Sequence, residues 1–334
     1  MRRSKLAGGA TLISLMLGGC GDGAGSEADL TIYSGRNEEL VGDLIDRFER
    51  DSGLKVDVRF GDSAELAATI AEEGDNSPAD VFFSQDAGAL GAVEDTLAKM
   101  PQPVLDAVPE RFRDPEDRWA GVSGRARVIA YDTRKFDDDE VPDSVFELTD
   151  KRWEGKVGLP PSNASFQAFV SAMRLDVGDA RTREWLEAMK DNDPQIYDNN
   201  IQTVEAIGRG EIELGLVNHY YLYELKREDP DLTAANHFPA PGDPGSLINA
   251  AGVGILETTD DEKSAQRFAR FLVSPTAQSY FAERTSEYPL VEGVGSRGDI
   301  PPLDEVVGPQ VELGELGDKL RSTLELLNEV GFTT

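Results

Sequence analysis

The chain has 334 residues, which is long enough for two domains of ordinary size. Hydrophobic residues make up 39% of it and charged residues 29%, and the mean hydropathy of −0.39 argues against an integral membrane protein. The formal net charge of −30 would repel nucleic acid, so we expect no nucleic-acid partner.

A lipoprotein signal peptide is predicted at residues 1–19, where two arginines and a lysine precede an apolar run that is too short to span a bilayer. The run ends in Leu-Gly-Gly-Cys, which resembles the bacterial lipobox. We therefore expect cleavage before Cys20 and attachment of a lipid to its sulfur. Cys20 is the only cysteine, which excludes disulfides and cysteine-ligated metal centres. Residues 20–29 are predicted to form a flexible tether.

Short runs of β-branched and aromatic residues then alternate with longer helical patterns, which predicts an α/β fold with mainly parallel strands. The first helical pattern, residues 38–53, places its apolar residues on one face and ends at Gly53. A later pattern, residues 261–283, predicts two helices broken at Pro275. The predicted strands are residues 30–34, 55–60, 79–84, 126–132, 156–160, 212–217 and 252–256.

Polar motifs follow several of these strands. In α/β domains of this kind, ligands bind at the carboxyl ends of the strands, so we expect the binding site among these motifs. They are residues 33–39, 82–88, 123–127, 160–166, 197–200 and 217–221.

The last of these motifs contains two adjacent tyrosines, Tyr220 and Tyr221. Asn218 is a suitable N-cap, so both tyrosines are predicted in the first turn of a helix. The positive end of the helix dipole would favour phenolate over phenol, and two adjacent phenolates would form an oxygen-rich site for a hard trivalent cation. By residue type alone, packing against the core is the more common role of adjacent aromatic side chains. His219 is expected either to support the tyrosines or to face solvent.

A family resemblance favours the interpretation of the two tyrosines as metal ligands. Six segments between about Leu30 and Pro289 are similar to the ferric-ion-binding proteins of bacterial ABC importers. In that family two consecutive tyrosines ligate Fe(III), and the resemblance places them at Tyr220 and Tyr221. The segments are LTIYSGRNEELV, AEEGDNSPADVFFSQ, GVSGRARVIAYDTRK, VEAIGRGEIELGLVNHYYLYEL, NAAGVGIL and SEYPL.

The resemblance also implies the architecture, a two-lobed α/β fold of the type II periplasmic-binding-protein kind with a ligand cleft between the lobes. Lobe one is expected at residues 28–125 and 252–300, and lobe two at residues 126–251 and 301–334. Closure of the cleft would gather ligands from both lobes around the ion.

The chain departs from the family pattern at the other metal-ligand positions. Asn37 stands where the family often has His, Glu38 where some relatives have Tyr, and Gln85 where the family has Glu. Asn37 and Gln85 are neutral and donate poorly to metals, so Glu38 is the expected substitute, with Asp86 behind it. For both acids, a solvent-exposed loop charge is the alternative.

Charge counting predicts that an anion accompanies the metal. Two phenolates leave Fe(III) with one positive charge, which Glu38 or a bound carbonate or phosphate would neutralise. Residues that resemble or adjoin the family's anion-holding positions supply amides, hydroxyls and a guanidinium near helix starts, although each type is also common in caps and turns. They are Arg125, Ser162, Asn163, Ser165, Asn200 and Asn218.

Together these features predict a non-enzymatic lipoprotein on the extracytoplasmic side of the cell membrane. As a monomer, it would capture Fe(III), with or without an anion, and deliver it to the permease and ATPase of an ABC importer. One alternative is an importer receptor for a small anion such as a phosphonate or phosphate ester. Another is a lipid-anchored hydrolase, but the sequence contains no complete nucleophile or metal constellation, so no catalytic residue is predicted.

Overall fold

A computed structural model describes residues 28–333; the predicted signal peptide, Cys20 and most of the tether lie outside the described residues. The strands are β1 (Leu30–Ser34), β2 (Val56–Phe60), β3 (Val81–Ser84), β4 (Leu97–Ala98), β5 (Trp119–Asp132), β6 (Val157–Leu159), β7 (Gln195–Ile196), β8 (Leu214–Asn218), β9 (Ala234–His237), β10 (Ile248–Leu256) and β11 (Tyr288–Pro289).

The α-helices are α1 (Glu38–Ser52), α2 (Ser63–Glu73), α3 (Ala87–Gly91), α4 (Gln102–Leu105), α5 (Ala164–Val177), α6 (Asp179–Asp191), α7 (Asn200–Arg209), α8 (Tyr220–Glu228), α9 (Glu262–Leu272), α10 (Pro275–Tyr280) and α11 (Glu315–Val330). Within residues 28–333, we find no helix with both the length and the apolar character that crossing a bilayer requires.

The sheet is mixed rather than mainly parallel. All seven predicted strands are confirmed, although β5 begins at Trp119, before the predicted residue 126. β1 pairs in parallel with β2 and β3, but β10 runs antiparallel to β3 and to β5, and β8 runs antiparallel to β5. The prediction of mainly parallel strands is therefore wrong, because an apolar run does not reveal the direction in which the chain returns to the sheet.

The long strand β5 joins two groups of strands. Its first part pairs with β10 as far as Ala126, and its second part pairs with β8 from Arg127 onward. The strand order is β2-β1-β3-β10-β5-β8-β6-β7, so the first four strands form one group and the last three form the other. This confirms a two-lobed α/β fold joined by a crossover strand. The lobe boundaries given above stay a prediction.

The bounds of helix α1 follow from local features of the sequence. Asn37 caps it, since its side-chain oxygen accepts a hydrogen bond from the backbone N–H of Glu39, and Gly53 ends it with a φ of 73°. Its apolar face is buried, as predicted. The predicted break at Pro275 is also confirmed, because Pro275 is the first residue of α10 and follows the end of α9.

Helix α11 packs against helices of both strand groups. It contacts α3, which follows β3, and α5, which follows β6. The approach to α3 is close enough that a Cβ on Gly317 would lie 2.5 Å from the carbonyl oxygen of Gly88. A glycine is therefore required at this crossing.

Candidate metal and anion site

A cavity of about 640 Å³ is lined by residues from both strand groups. Its walls come from the segments that follow β1, β2, β3, β6, β7 and β8, which is the edge where ligands of α/β sheets bind. Seven of the residues singled out in the sequence line it, and they are Asn37, Glu38, Gln85, Ser162, Asn163, Ser165 and Tyr221.

The tyrosine pair occupies the first two positions of α8, at the edge of this cavity. The two ring centroids lie 4.1 Å apart at an interplanar angle of 31°. Tyr221 is half-buried and lines the cavity, whereas Tyr220 is only 1% exposed. The Tyr220 hydroxyl nevertheless accepts a hydrogen bond from Nε2 of Gln85 at 3.3 Å. Gln85 follows β3 of the other strand group, so the Tyr220 hydroxyl faces the gap between the groups.

The expectation that the helix dipole favours phenolates is wrong for the protein without a cation. Burial raises the pKa of Tyr220, and the positive charge of Arg125 offsets this effect only in part. Burial and the neighbouring Tyr220 raise the pKa of Tyr221 well above its ordinary value. Desolvation is the largest cause of both shifts, and both side chains are neutral phenols near pH 7. A bound cation would have to displace their protons.

Asn218 does not cap α8. It is the last residue of β8, and the residue that precedes the helix is His219. Asn218 is held instead by buried polar neighbours, because its Oδ1 accepts from Nη1 of Arg127 at 3.4 Å and its backbone N–H donates to Oδ1 of Asn200 at 3.1 Å. The Asn218 side-chain oxygen is therefore engaged by Arg127 and not by a backbone N–H of the first turn of α8.

His219 supports the start of α8, which is one of the two roles expected for it. The ring is fully buried, with Nδ1 accepting from the backbone N–H of Ala126 at 3.1 Å and Nε2 donating to the carbonyl of Ser286 at 2.9 Å. Burial lowers the pKa of His219 to about 4, so the ring is neutral and its two nitrogens take these different roles. His219 thereby connects the start of α8 to β5 through Ala126 and to the segment before β11 through Ser286.

Four of the five predicted anion-binding amides and hydroxyls form one hydrogen-bonded cluster beside the cavity. Oδ1 of Asn163, the N-cap of α5, accepts from the Ser165 hydroxyl at 2.6 Å and from Nδ2 of Asn200 at 3.0 Å. Nη1 of Arg127 donates to the Ser165 hydroxyl at 3.2 Å. Ser162 stands apart and reaches the carbonyl of Asp198 at 3.5 Å. The structure therefore brings Asn163, Ser165, Asn200 and Asn218 together.

Two buried guanidinium groups lie near the tyrosines, and one of them, Arg127, also contacts this cluster. Arg125 is 2% exposed, and its Nη2 has no hydrogen-bond partner in the described part of the chain. Arg127, which the sequence did not single out, packs over the rings of Phe166 and Phe169, with Nη2 donating to the carbonyl of Leu216 at 2.8 Å. Burial lowers the pKa of Arg127 to about 9. Both groups add positive charge near the tyrosines.

A buried ion pair next to the cavity was also missed. Arg36 donates through Nη1 and Nη2 to the two carboxylate oxygens of Glu287 at 2.9 and 2.6 Å, and both side chains are fully buried. Burial opposes both charges, but their attraction holds the pKa of Glu287 below its usual range. Both residues lie in motifs singled out from the sequence, but they are 251 positions apart and nothing in either motif predicts the pairing.

Four carboxylates line the cavity, and their surroundings differ. Glu38 is exposed at the first position of α1, Asp62 caps α2, Asp198 is exposed, and Glu224 is half-buried on α8. Asp86 is not among them, because it caps α3 and lies in an adjacent cavity of about 350 Å³. Among residues 28–333, no cluster of three or more His, Cys, Asp or Glu side chains is arranged to hold a metal ion.

Comparison with known proteins gives consistent matches over most of the chain. Residues 75–305 match the family described as bacterial extracellular solute-binding protein. The Fe(3+)-binding periplasmic protein of Serratia marcescens is 30% identical over 324 residues, which are 96% of this chain and 95% of that protein.

Solved structures also match over most of the chain. Iron-bound HitA from Pseudomonas aeruginosa superposes with a TM-score of 0.85 at 30% identity, over 90% of this chain and 99% of the other. Trichodesmium FutA in complex with iron and citrate ligands superposes with a TM-score of 0.79 at 29% identity, over 91% of this chain and 99% of the other.

Proposed function

The chain belongs to the bacterial extracellular solute-binding proteins, in the group that contains the ferric-ion-binding proteins, and we propose that its solute is Fe(III). The observation that carries this proposal is the pair of adjacent phenols at the start of α8, with the Tyr220 hydroxyl bonded to Gln85 across the gap. A solute-binding protein is not an enzyme, so the hydrolase alternative is set aside.

The charge of the cavity supports a cation as the solute. Carboxylates of Glu38, Asp62, Asp198 and Glu224 line it, and they would repel a free dianion. Fe(III) is a hard ion that prefers oxygen ligands, and Tyr220 and Tyr221 would each supply a phenolate oxygen after losing a proton to solvent. The sequence predicts Asn37, Glu38 and Gln85 as further ligands, and all three line the cavity on the opposite wall.

The test is a titration of the iron-free protein with ferric citrate. Bound phenolates give Fe(III) a visible ligand-to-metal charge-transfer band, so we expect colour to develop and to saturate at one iron per chain. Colourless protein that leaves all of the iron in the citrate complex would contradict the proposal.

An accompanying anion, such as carbonate or phosphate, would be held near Arg125. Nη2 of Arg125 is buried and has no hydrogen-bond partner among the described residues, so an anion would satisfy it. Arg125 does not itself line the cavity, but Ser162, Asn163 and Ser165 do. We expect added carbonate or phosphate to tighten iron binding in the wild type. In Arg125→Met this gain should fall by about 10- to 100-fold, since a hydrogen bond to a charged group contributes about 1.5–3 kcal/mol. Iron competition with citrate at fixed pH measures the gain, and an equal gain in the variant would exclude Arg125.

A receptor for a phosphonate or phosphate ester remains the second candidate, because the free Nη2 of Arg125 would also suit such a ligand. Calorimetry with a panel of anions, with and without iron, separates the two functions. Heat of binding from an anion alone, together with colourless protein in ferric citrate, would favour this candidate over iron.

The location and partners of the protein complete the proposal. Its relatives include periplasmic iron-binding proteins, which supports a position outside the cytoplasm, and the family resemblance supports delivery to the permease and ATPase of an ABC importer. We propose that the chain works as a monomer held at the membrane by a lipid on Cys20.

In Cys20→Ser we expect the protein to move from the membrane fraction to the soluble fraction. Unchanged membrane association would contradict the anchor.

A further inference from the structure

The geometry points to Glu224 as an anionic ligand of the bound ion, supplied by the same helix as the tyrosines. This inference rests on the proposed function, since it concerns the cavity in which Tyr220 and Tyr221 would hold Fe(III). The sequence singled out Glu38 for this role.

Glu224 shares a face of α8 with Tyr221. The two residues are three positions apart on one helix, which places their side chains side by side, and both line the same cavity. Glu224 is half-buried, and its Oε2 is fully buried and has no hydrogen-bond partner within the described residues. A buried carboxylate oxygen without a partner is unfavourable unless a ligand satisfies it. Burial raises the pKa of Glu224, which agrees with this environment.

The other three carboxylates of the cavity fit the role less well. Oδ1 of Asp62 already accepts from the backbone N–H of Ala64 at 2.8 Å, as the cap of α2. Asp198 and Glu38 are exposed to solvent, which screens their charge and leaves no buried oxygen to satisfy. Arg227 lies three positions beyond Glu224 on α8. Its Nη1 donates to the carbonyl of Arg284 at 2.7 Å and not to the Glu224 carboxylate.

The charge balance of the site gives this carboxylate its function. Two phenolates leave Fe(III) with one positive charge, and the buried guanidinium groups of Arg125 and Arg127 add positive charge nearby. Gln85 on the opposite wall is neutral, so it supplies no negative charge to balance the ion. Glu224 would provide one negative charge in direct contact with the ion, and the accompanying anion would then complete the balance.

The experiment compares iron affinity in Glu224→Gln, Glu38→Gln and Glu228→Gln, measured by competition of ferric citrate with the protein at fixed pH. Glu228 is the matched control, because it lies one turn further along α8 and is exposed. We expect Glu224→Gln to bind iron at least about 10- to 100-fold more weakly, because that is the loss when an outer-shell partner of a metal ligand is removed and a direct ligand contributes more. The charge-transfer band should persist, because both tyrosines remain. Added phosphate should restore more affinity in this variant than in the wild type.

Each other outcome has a clear consequence. Equal affinity in Glu224→Gln and Glu228→Gln, with the band present, would overturn the role of Glu224 and leave the proposed function intact. A larger loss in Glu38→Gln than in Glu224→Gln would assign the carboxylate to Glu38 instead. A colourless wild type would remove both proposals. Glu224→Asp provides a second variant if the amide perturbs folding, and we expect it to retain part of the affinity.

Discussion

Replacing both tyrosines by phenylalanine is expected to abolish the charge-transfer band and iron binding. The variant Tyr220→Phe/Tyr221→Phe keeps the rings, which are packed 4.1 Å apart, and removes only the two oxygens. The attraction between unit charges 4 Å apart is about 4 kcal/mol at an effective dielectric of 20, and a trivalent ion in direct contact gains more. Part of this gain is offset by the cost of removing the phenol protons. Each single variant should therefore lose about 100-fold or more in affinity, a difference of about 2.7 kcal/mol.

Tyr223→Phe is the control for this prediction. Tyr223 lies on the same helix, but its hydroxyl donates to the carbonyl of Asp299 at 3.0 Å and it does not line the cavity. We expect this variant to keep both the band and the affinity. Visible absorption and citrate competition provide the two measurements, and circular dichroism checks the fold. A persistent band in the double variant would mean that other oxygens hold the iron.

Local patterns in the sequence predicted the elements of the fold and the side of the sheet that carries the site. The apolar face of α1, its cap at Asn37 and its stop at Gly53 are encoded within 17 consecutive residues, so periodicity and capping chemistry locate them. The direction of β10 depends on how the chain returns from the second strand group to the first. No local run encodes that return, which is why the mixed sheet was not predicted.

The predictions about the site itself were limited by burial and by long-range contacts. The dipole argument for Tyr220 and Tyr221 considered one helix end and omitted desolvation, which the surrounding fold determines. The sequence did not single out Glu224, the carboxylate proposed above as a ligand, because a charged residue in a helix is usually solvent-exposed. The neutral Gln85, at a position where the family has Glu, is the sequence feature that points to a carboxylate supplied from another segment.

The buried pair of Arg36 and Glu287 is expected to contribute strongly to the stability of the site. Arg36 directly precedes Asn37, the cap of α1, and Glu287 directly follows Ser286, whose carbonyl accepts from His219 at the start of α8. Removing one partner of a buried pair leaves an uncompensated charge and costs about 3–5 kcal/mol. We expect Arg36→Met and Glu287→Met each to lower the free energy of unfolding by this amount. Urea denaturation at pH 7 measures the loss.

The double variant Arg36→Met/Glu287→Met measures the interaction between the two side chains, when it is compared with the single variants. Because it leaves no unpaired charge, we expect it to be clearly more stable than the sum of the single losses predicts. Additive losses would mean that each side chain acts through packing alone. Asp43→Asn is the control, since Asp43 and Arg284 form an exposed pair at 3.7 Å and its loss should cost less than about 1 kcal/mol.

The pH dependence of stability gives a further readout of the same pair. Pairing with Arg36 holds the pKa of Glu287 below its usual range, so the folded state favours the ionised carboxylate. The resulting stabilisation is fully present above the pKa of glutamate in the unfolded chain, about 4.3, and is lost as the pH falls through the lower folded-state pKa. Wild type should therefore lose more stability in acid than the double-methionine variant does. Parallel unfolding curves for the two proteins between neutral and acidic pH would show that Glu287 does not titrate against Arg36.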